Sequence, residues 1–129
     1  MRLFVILLVA FLAVAGITGY GGNEMGRYEK ISPEEAKLMM GHDHVLVVDV
    51  RRPEEYKEGH IPGAVLVTNE TIGTTLPKEL PDKKATLLVY CRSGVRSKQA
   101  SQKLVRLGYE KVYDFGGIIS WPYEIENRS

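Results

Sequence analysis

Two kinds of hydrophobic pattern alternate along the chain after its first twenty residues. Continuous apolar runs at 45–50 and 86–91 are typical of strands that are buried on both faces of a parallel sheet. Shorter runs predict two more strands, at 64–67 and at 111–115. Between the last two strands, apolar residues recur at helical spacing within 97–108. Strands that alternate with helices predict an α/β fold with a mostly parallel sheet.

The helix boundaries are marked by residues with a clear capping role. Ser32 and Glu35 have the spacing of a capping box, which predicts a helix that starts after Ser32 and ends near Gly41. A second short helix is predicted to begin at Pro53 and to end at Gly59. The segment 69–80 has no clear pattern and is expected to be a loose helix or a loop, and a last helical turn is predicted around 118–123.

The N-terminal segment differs from the rest of the chain. A single positive residue, Arg2, precedes an unbroken apolar run over 3–17, which is the layout of a secretory signal with a possible cleavage site after Ala15. The run is shorter than the roughly 20 residues of a typical membrane-spanning helix. We expect residues 1–20 to be a signal peptide or an uncleaved N-terminal anchor, which places the protein in the periplasm or outside the cell.

The remainder of the chain has the size of one domain. Residues 21–28 are rich in glycine and predict a flexible lead-in, and 29–129 are long enough for a single core. Without Arg2 the chain has 16 basic and 16 acidic residues, and the two signs are mixed along it. This balance argues against a nucleic-acid partner, because binding phosphates requires a concentrated basic face.

Cys91 is the only cysteine of the chain, so it has no internal disulfide partner. It ends a predicted strand and precedes a predicted helix, and the carboxyl ends of parallel strands are where such folds bind ligands. In the short loop that follows, Gly94 can adopt a left-handed conformation, which lets backbone N–H groups converge on an anion. Arg92 and Arg96 add positive charge to the same loop. A thiol in that field is expected to react as a thiolate nucleophile.

The loop therefore predicts one catalytic residue and a set of residues that bind the substrate. The catalytic residue is Cys91, and the alternative is an inert buried thiol. The substrate-binding candidates follow it directly, with the arginines acting through their charge and the others through backbone N–H groups: Arg92, Ser93, Gly94, Val95, Arg96 and Ser97.

Three other polar residues are possible members of the pocket border. Asp49 and Arg51 follow the first buried strand, and an ion pair that fixes the loop is favoured over a role in the pocket. His60 invites pairing with the cysteine, but its setting in "GHIPGA" favours a histidine that holds a tight turn. The segment 42–44 contains two histidines and an aspartate and is interpreted as a solvated turn rather than a metal site. Trp121 is expected in the core or the pocket wall.

Three segments, in order, resemble the rhodanese family of sulfurtransferases. "YCRSGVRS" at 90–97 is similar to the active-site loop of that family. "VVDVRRPEEYKEGHIPGA" at 47–64 resembles its upstream signature, and "DFGGIISW" at 114–121 resembles its closing segment. The resemblance extends over about 29–123.

This resemblance implies a single rhodanese-like domain with a mainly parallel, five-stranded sheet and helices on both faces. It also implies a double displacement in which Cys91 takes the outer sulfur of thiosulfate or a similar donor as a persulfide. A small thiol, cyanide or a protein thiol would then accept the sulfur. Neither a metal nor an organic cofactor is implied.

Three other functions remain open at this stage. Related phosphatases and arsenate reductases have one more residue between cysteine and arginine than the four that separate Cys91 from Arg96, so the shorter loop favours a single sulfur atom. A non-catalytic module that binds a partner is disfavoured because the cysteine and the loop are both present. A persulfide carrier or a thiol-redox protein would use the same cysteine and differ in its acceptor.

Overall fold

The computed structural model describes residues 27–127, which contain five strands, three helices and two 3₁₀ turns. The strands are β1 Glu29–Lys30, β2 Val45–Asp49, β3 Val65–Leu66, β4 Thr86–Cys91 and β5 Lys111–Gly117. The helices are α1 Pro33–Met39, α2 Pro53–Glu58 and α3 Val95–Arg106, and the 3₁₀ turns are Asn69–Thr71 and Ile118–Ser120. The predicted signal segment and most of the predicted lead-in lie outside the described residues. No helix within 27–127 combines the length and the hydrophobicity that crossing a membrane requires.

The strands form one parallel sheet in the order β1-β5-β4-β2-β3. β4 lies in the middle, and its side chains alternate between the two faces because successive residues of a strand point in opposite directions. Leu87, Val89 and Cys91 belong to one apolar cluster, and Leu88 and Tyr90 belong to the other. The α/β fold predicted from the alternating pattern is therefore confirmed.

The sheet has helices on both faces, as the resemblance implies. Ala100 and Leu104 of α3 are fully buried in the cluster that contains Cys91. Ala36 of α1 is fully buried in the opposite cluster, together with Phe115 of β5. The cysteine thus belongs to the layer that lies between the sheet and α3.

The predicted caps of the first two helices are confirmed. Ser32 Oγ accepts the N–H of Glu35 at 3.1 Å, and Glu35 Oε1 accepts the N–H of Ser32 at 2.8 Å, so the capping box closes in both directions. α2 begins at Pro53 and its C-cap is Gly59, as predicted.

Several details differ from the sequence-based expectation. β5 continues to Gly117 instead of ending at 115. β1 lies just after the lead-in and was not predicted, since two exposed residues carry no hydrophobic pattern. β3 has only two residues, Val65–Leu66, instead of the four expected. α3 begins at Val95, two residues before the expected start, because Gly94 already serves as its N-cap. The last helical turn is the short 3₁₀ turn Ile118–Ser120 and does not reach Tyr123.

Candidate active site

Cys91 is the last residue of β4 and lies opposite Gly117 of β5 in the sheet register. Its side chain is fully buried, and its Sγ accepts the backbone N–H of Gly94 at 3.0 Å. The chain therefore folds back on the sulfur within three residues. A sulfur atom that already receives an N–H donor is stabilised when it carries negative charge.

Gly94 produces this turn because it adopts a left-handed conformation, with φ at +109°. It is also the N-cap of α3, and the first intrahelical bond runs from the N–H of Lys98 to the carbonyl of Gly94 at 3.3 Å. The N–H groups of Val95, Arg96 and Ser97 precede that bond and have no acceptor within the helix. The start of α3 thus presents backbone donors and the positive end of a helix beside the cysteine loop.

Two hydrogen bonds to Asp114 hold the base of the loop against β5. Ser97 Oγ donates to Asp114 Oδ1 at 2.8 Å, and the N–H of Gly116 donates to the same oxygen at 2.9 Å. Asp114 is fully buried, and its Oδ2 has no hydrogen-bond partner among the described residues. Lys30 Nζ, which is largely exposed, lies 3.9 Å from that oxygen. The Ser97 side chain therefore has a structural role in addition to its backbone N–H.

The two loop arginines have different surroundings. Arg96 forms a two-pronged ion pair with Glu55 of α2, at 2.8 and 3.0 Å. Hydrogen bonding to Arg96 is the main reason why the pKa of Glu55 is lowered from its ordinary value of 4.5 to about 2. Arg92 is exposed, and its side chain has no partner within 27–127. The positive charge of Arg96 is thus largely compensated, whereas that of Arg92 is free.

Asp49 and Arg51 form the buried ion pair that the sequence favoured. Arg51 Nη2 lies 2.7 Å from Asp49 Oδ2, and the same nitrogen donates to the carbonyl of Gly59 at 2.7 Å. Tyr90 Oη donates to Asp49 Oδ2 at 2.5 Å and accepts the N–H of Ile61 at 3.1 Å. Burial, with the nearby charge of Asp49 as the next cause, raises the pKa of Tyr90. This network links β2 and β4 to the turn that follows α2.

His60 also holds that turn. Its ring stacks on the ring of Tyr56 with centroids 3.7 Å apart. Nδ1 lies 2.8 Å from the carbonyl of Tyr56, and Nε2 lies 3.2 Å from Glu126 Oε2. The partners of both ring nitrogens agree with the interpretation of a turn-holding histidine, and neither of them is Cys91.

The remaining candidates have ordinary surroundings. The segment 42–44 is exposed, and no cluster of potential metal ligands occurs within the described part of the chain. Trp121 belongs to the apolar cluster of Phe115 and donates its Nε1–H to the carbonyl of Glu124 at 3.2 Å, so it is part of the core.

Sequence reasoning missed three residues that shape the loop. Glu55 lies in the first turn of α2, where an acidic residue is common in any helix, and nothing in the local sequence indicates that it forms an ion pair with Arg96. Asp114 interrupts an apolar strand, and a carboxylate at such a position was the available signal for a buried polar contact. Gly117 is required by a close backbone approach that only the sheet register reveals.

Comparison with known proteins shows which family has this arrangement. The family described as "Rhodanese-like domain" matches residues 32–122. A rhodanese from E. coli is 31% identical, with 64% of this chain and 98% of that chain covered and a TM-score of 0.59. A rhodanese-like domain protein from Staphylococcus aureus is 32% identical, with 78% and 99% covered and a TM-score of 0.65.

A third structure carries a different label. It is a protein of unknown function from Rhodopseudomonas palustris, described as a possible tyrosine phosphatase, with 26% identity, 73% and 79% coverage and a TM-score of 0.61. The family match covers most of the chain, from the capped start of α1 to the residue after Trp121. The chain therefore belongs to the rhodanese-like domain family.

Proposed function

We propose that this protein is a sulfurtransferase in which Cys91 carries the transferred sulfur as a persulfide. The observation that supports this most directly is the N–H of Gly94, which donates to Cys91 Sγ at the start of α3. A donor in that position can stabilise the negative charge that the sulfur carries when it acts as a nucleophile. The uncommitted N–H groups of the first turn of α3 can bind a second sulfur beyond Sγ.

The first half of the reaction uses an anionic donor such as thiosulfate. The Cys91 thiolate attacks the outer sulfur of the donor, and a new S–S bond forms. The bond between the two sulfur atoms of thiosulfate breaks, and its electron pair leaves with sulfite. The free charge of Arg92 draws the donor to the loop, and Arg96, held by Glu55, fixes the far side of the loop.

The second half returns the enzyme to its starting state. Cyanide or a thiolate attacks the outer sulfur of the persulfide, and the electron pair of the broken S–S bond returns to Cys91 Sγ. Every electron pair stays within the reacting sulfur atoms and the acceptor, so neither a metal nor a redox cofactor is needed.

A phosphatase is the second candidate, since one structural neighbour is described as a possible tyrosine phosphatase. Two observations disfavour it. Only four residues separate Cys91 from Arg96, so the loop is short for a tetrahedral phosphate. Both terminal nitrogens of Arg96 are already bonded to Glu55, whereas a phosphatase of this kind needs its arginine for the phosphoryl oxygens.

A non-catalytic partner-binding module would not require the Gly94–Cys91 contact.

The test is an intact-mass measurement on the purified domain after incubation with thiosulfate. We expect a species that is heavier by one sulfur atom and that returns to the original mass on addition of cyanide or a small thiol. Cys91→Ser should gain nothing. If the wild-type protein gains no sulfur but hydrolyses an aryl phosphate, the phosphatase is correct, and if it does neither, the partner-binding module is favoured.

We also propose that residues 1–20 direct export, either as a cleaved signal or as an anchor, so that sulfur transfer takes place outside the cytoplasm. The support is the apolar run after Arg2. The N-terminal mass of protein recovered from the periplasm and from the membrane fraction tests this. Full-length protein in the cytoplasm would contradict it.

A further inference from the structure

Two large aliphatic side chains on segments next to the cysteine loop are exposed. Val95 is 63% exposed and Ile119 is 61% exposed, although most aliphatic residues of the described chain are buried. Val95 directly follows Gly94, whose N–H contacts the sulfur. Ile119 follows β5, and its N–H donates to the carbonyl of Arg92 at 3.3 Å. Both residues are therefore attached to the loop that holds Cys91.

Two free cations accompany this apolar pair. Arg92 lies in the loop, and Lys98 lies three residues after Val95 and so on the same side of α3. Both are exposed, and their side chains have no partner within 27–127. Arg96 is paired with Glu55, and, more distantly, Arg52 lies 3.9 Å from Glu70. The first turn of α3 contains no acidic residue, so the free charge of the loop and of this turn is positive.

We propose that this rim, defined as Val95, Ile119, Arg92 and Lys98, docks an extended segment of a partner protein that carries the acceptor cysteine next to apolar and acidic residues. The proposal rests on the proposed sulfurtransferase function and names the acceptor for it. A small anion such as thiosulfate or cyanide gains no binding free energy from contact with two aliphatic side chains. An apolar residue beside an acceptor cysteine would bury them and so stabilise the complex. The positive charge of Arg92 and Lys98 favours partners with acidic residues beside the acceptor cysteine and raises the rate of their association.

The depth of the sulfur fits a thiol acceptor of this kind. Cys91 is fully buried, so an acceptor has to insert a side chain to reach the sulfur while its backbone remains outside. In the transfer step the acceptor thiolate attacks the outer sulfur of the Cys91 persulfide. The S–S bond to Cys91 breaks, its electron pair returns to Sγ, and the partner leaves as a persulfide.

The test compares acceptors on protein whose Cys91 has first been loaded with sulfur from thiosulfate and freed of excess donor. The acceptors are cyanide, N-acetylcysteine amide and nine-residue peptides with a central cysteine. One peptide has leucine and glutamate on both sides of the cysteine. Of its two matched peptides, one has lysine for glutamate and the other has serine for leucine. Rates are expressed per thiolate, from the separately titrated pKa of each free thiol.

We expect the leucine–glutamate peptide to react about tenfold faster than N-acetylcysteine amide and than either matched peptide, which corresponds to roughly 1.4 kcal/mol. The advantage over the lysine peptide should shrink as salt is added. Ile119→Ser should lower the ratio of peptide rate to cyanide rate about fivefold. Leu38→Ser is the matched control, since Leu38 is 77% exposed on α1, which is not attached to the loop. It should leave the ratio unchanged.

The proposal is overturned if the lysine peptide reacts as well as the glutamate peptide, or if Ile119→Ser leaves the ratio unchanged. It is also overturned if Ile119→Ser instead abolishes binding to anionic phospholipid vesicles, because the rim would then be a membrane contact. Absence of sulfur loading would contradict the proposed function itself. In that case, docking is measured separately, by fluorescence anisotropy of the labelled leucine–glutamate peptide with wild-type and Ile119→Ser protein. Equal affinities for the two proteins would contradict the proposal that the rim docks the peptide.

Discussion

The backbone of Arg92 lies so close to Gly117 that it fills the space a side chain on Gly117 would need. A Cβ atom added to Gly117 would lie 2.0 Å from the carbonyl oxygen of Arg92 and 2.7 Å from the Cα of Ser93. All of these contacts are with backbone atoms, so no side-chain rotation can relieve them. The end of β5 thus forms a wall behind the cysteine loop.

Gly117→Ala is therefore expected to destabilise the protein and to displace the loop. Overpacking of this kind costs roughly 1–3 kcal/mol, and the rigidity of the contact places it at the upper end. Urea unfolding should show the loss of stability, and intact mass should show slower sulfur loading. Gly73→Ala is the control, because a Cβ there meets no atom within 4 Å. Equal stability of the two variants would contradict the proposed wall.

The second prediction separates backbone strain from loop function. Gly94 and Gly63 both have positive φ, at +109° and +83°, and neither has an atom that a Cβ would clash with. Alanine at either position should cost about 1–2 kcal/mol from the left-handed conformation alone. Only Gly94→Ala should also slow sulfur loading, since it moves the N–H that contacts Cys91 Sγ. Similar loading in the two variants would show that this contact is not used.

The third prediction concerns the ion pair between Glu55 and Arg96. The folded protein lowers the pKa of Glu55 to about 2, mainly through the hydrogen bonds of Arg96. The stabilisation is therefore complete above the ordinary value of 4.5 and is lost as the pH falls towards 2. Because the pair is partly exposed, Glu55→Gln should cost about 1 kcal/mol at pH 7.

Denaturant unfolding of wild type and Glu55→Gln across this pH range provides the measurement. The difference between the two should be largest above pH 4.5 and should approach zero near pH 2. Glu54→Gln, an exposed neighbour in the same helix turn, should behave like wild type throughout. A difference that persists unchanged at low pH would reject the ion pair as its cause.

The fourth prediction tests whether Asp49 and Arg51 stabilise the fold or serve the reaction. Asp49→Asn leaves the buried guanidinium of Arg51 without its counter-charge, which costs about 3–5 kcal/mol. Tyr90→Phe removes the hydroxyl that contacts both Asp49 and Ile61, which costs roughly 1–3 kcal/mol. Folded protein of either variant should load sulfur at the wild-type rate. Slower sulfur loading in fully folded Tyr90→Phe would show that the network of Asp49, Arg51 and Tyr90 serves the reaction.

The hydrophobic pattern was sufficient to predict the central architecture. β2 and β4 are continuous apolar runs, and such runs are stable only where helices cover both faces of a sheet. The helix starts at Ser32 and Pro53 followed from local capping chemistry, which depends on neighbouring residues alone, whereas α3 starts at Val95, two residues before the expected start. β1 could not be predicted in this way, since its two residues are exposed and are held by pairing with β5.

The sequence by itself determined that a lone cysteine ends a buried strand and precedes a helix, with glycine and arginine in the loop between them. These are neighbours in the chain, so their physical chemistry can be inferred without a fold. Only the tertiary structure decided that Glu55 compensates Arg96, that Asp114 anchors Ser97, and that Gly117 lies against the carbonyl of Arg92. Each of these contacts joins segments that are 17 to 41 residues apart or that meet through sheet register. Such distances are fixed by the packing of the whole domain, and no local pattern encodes them.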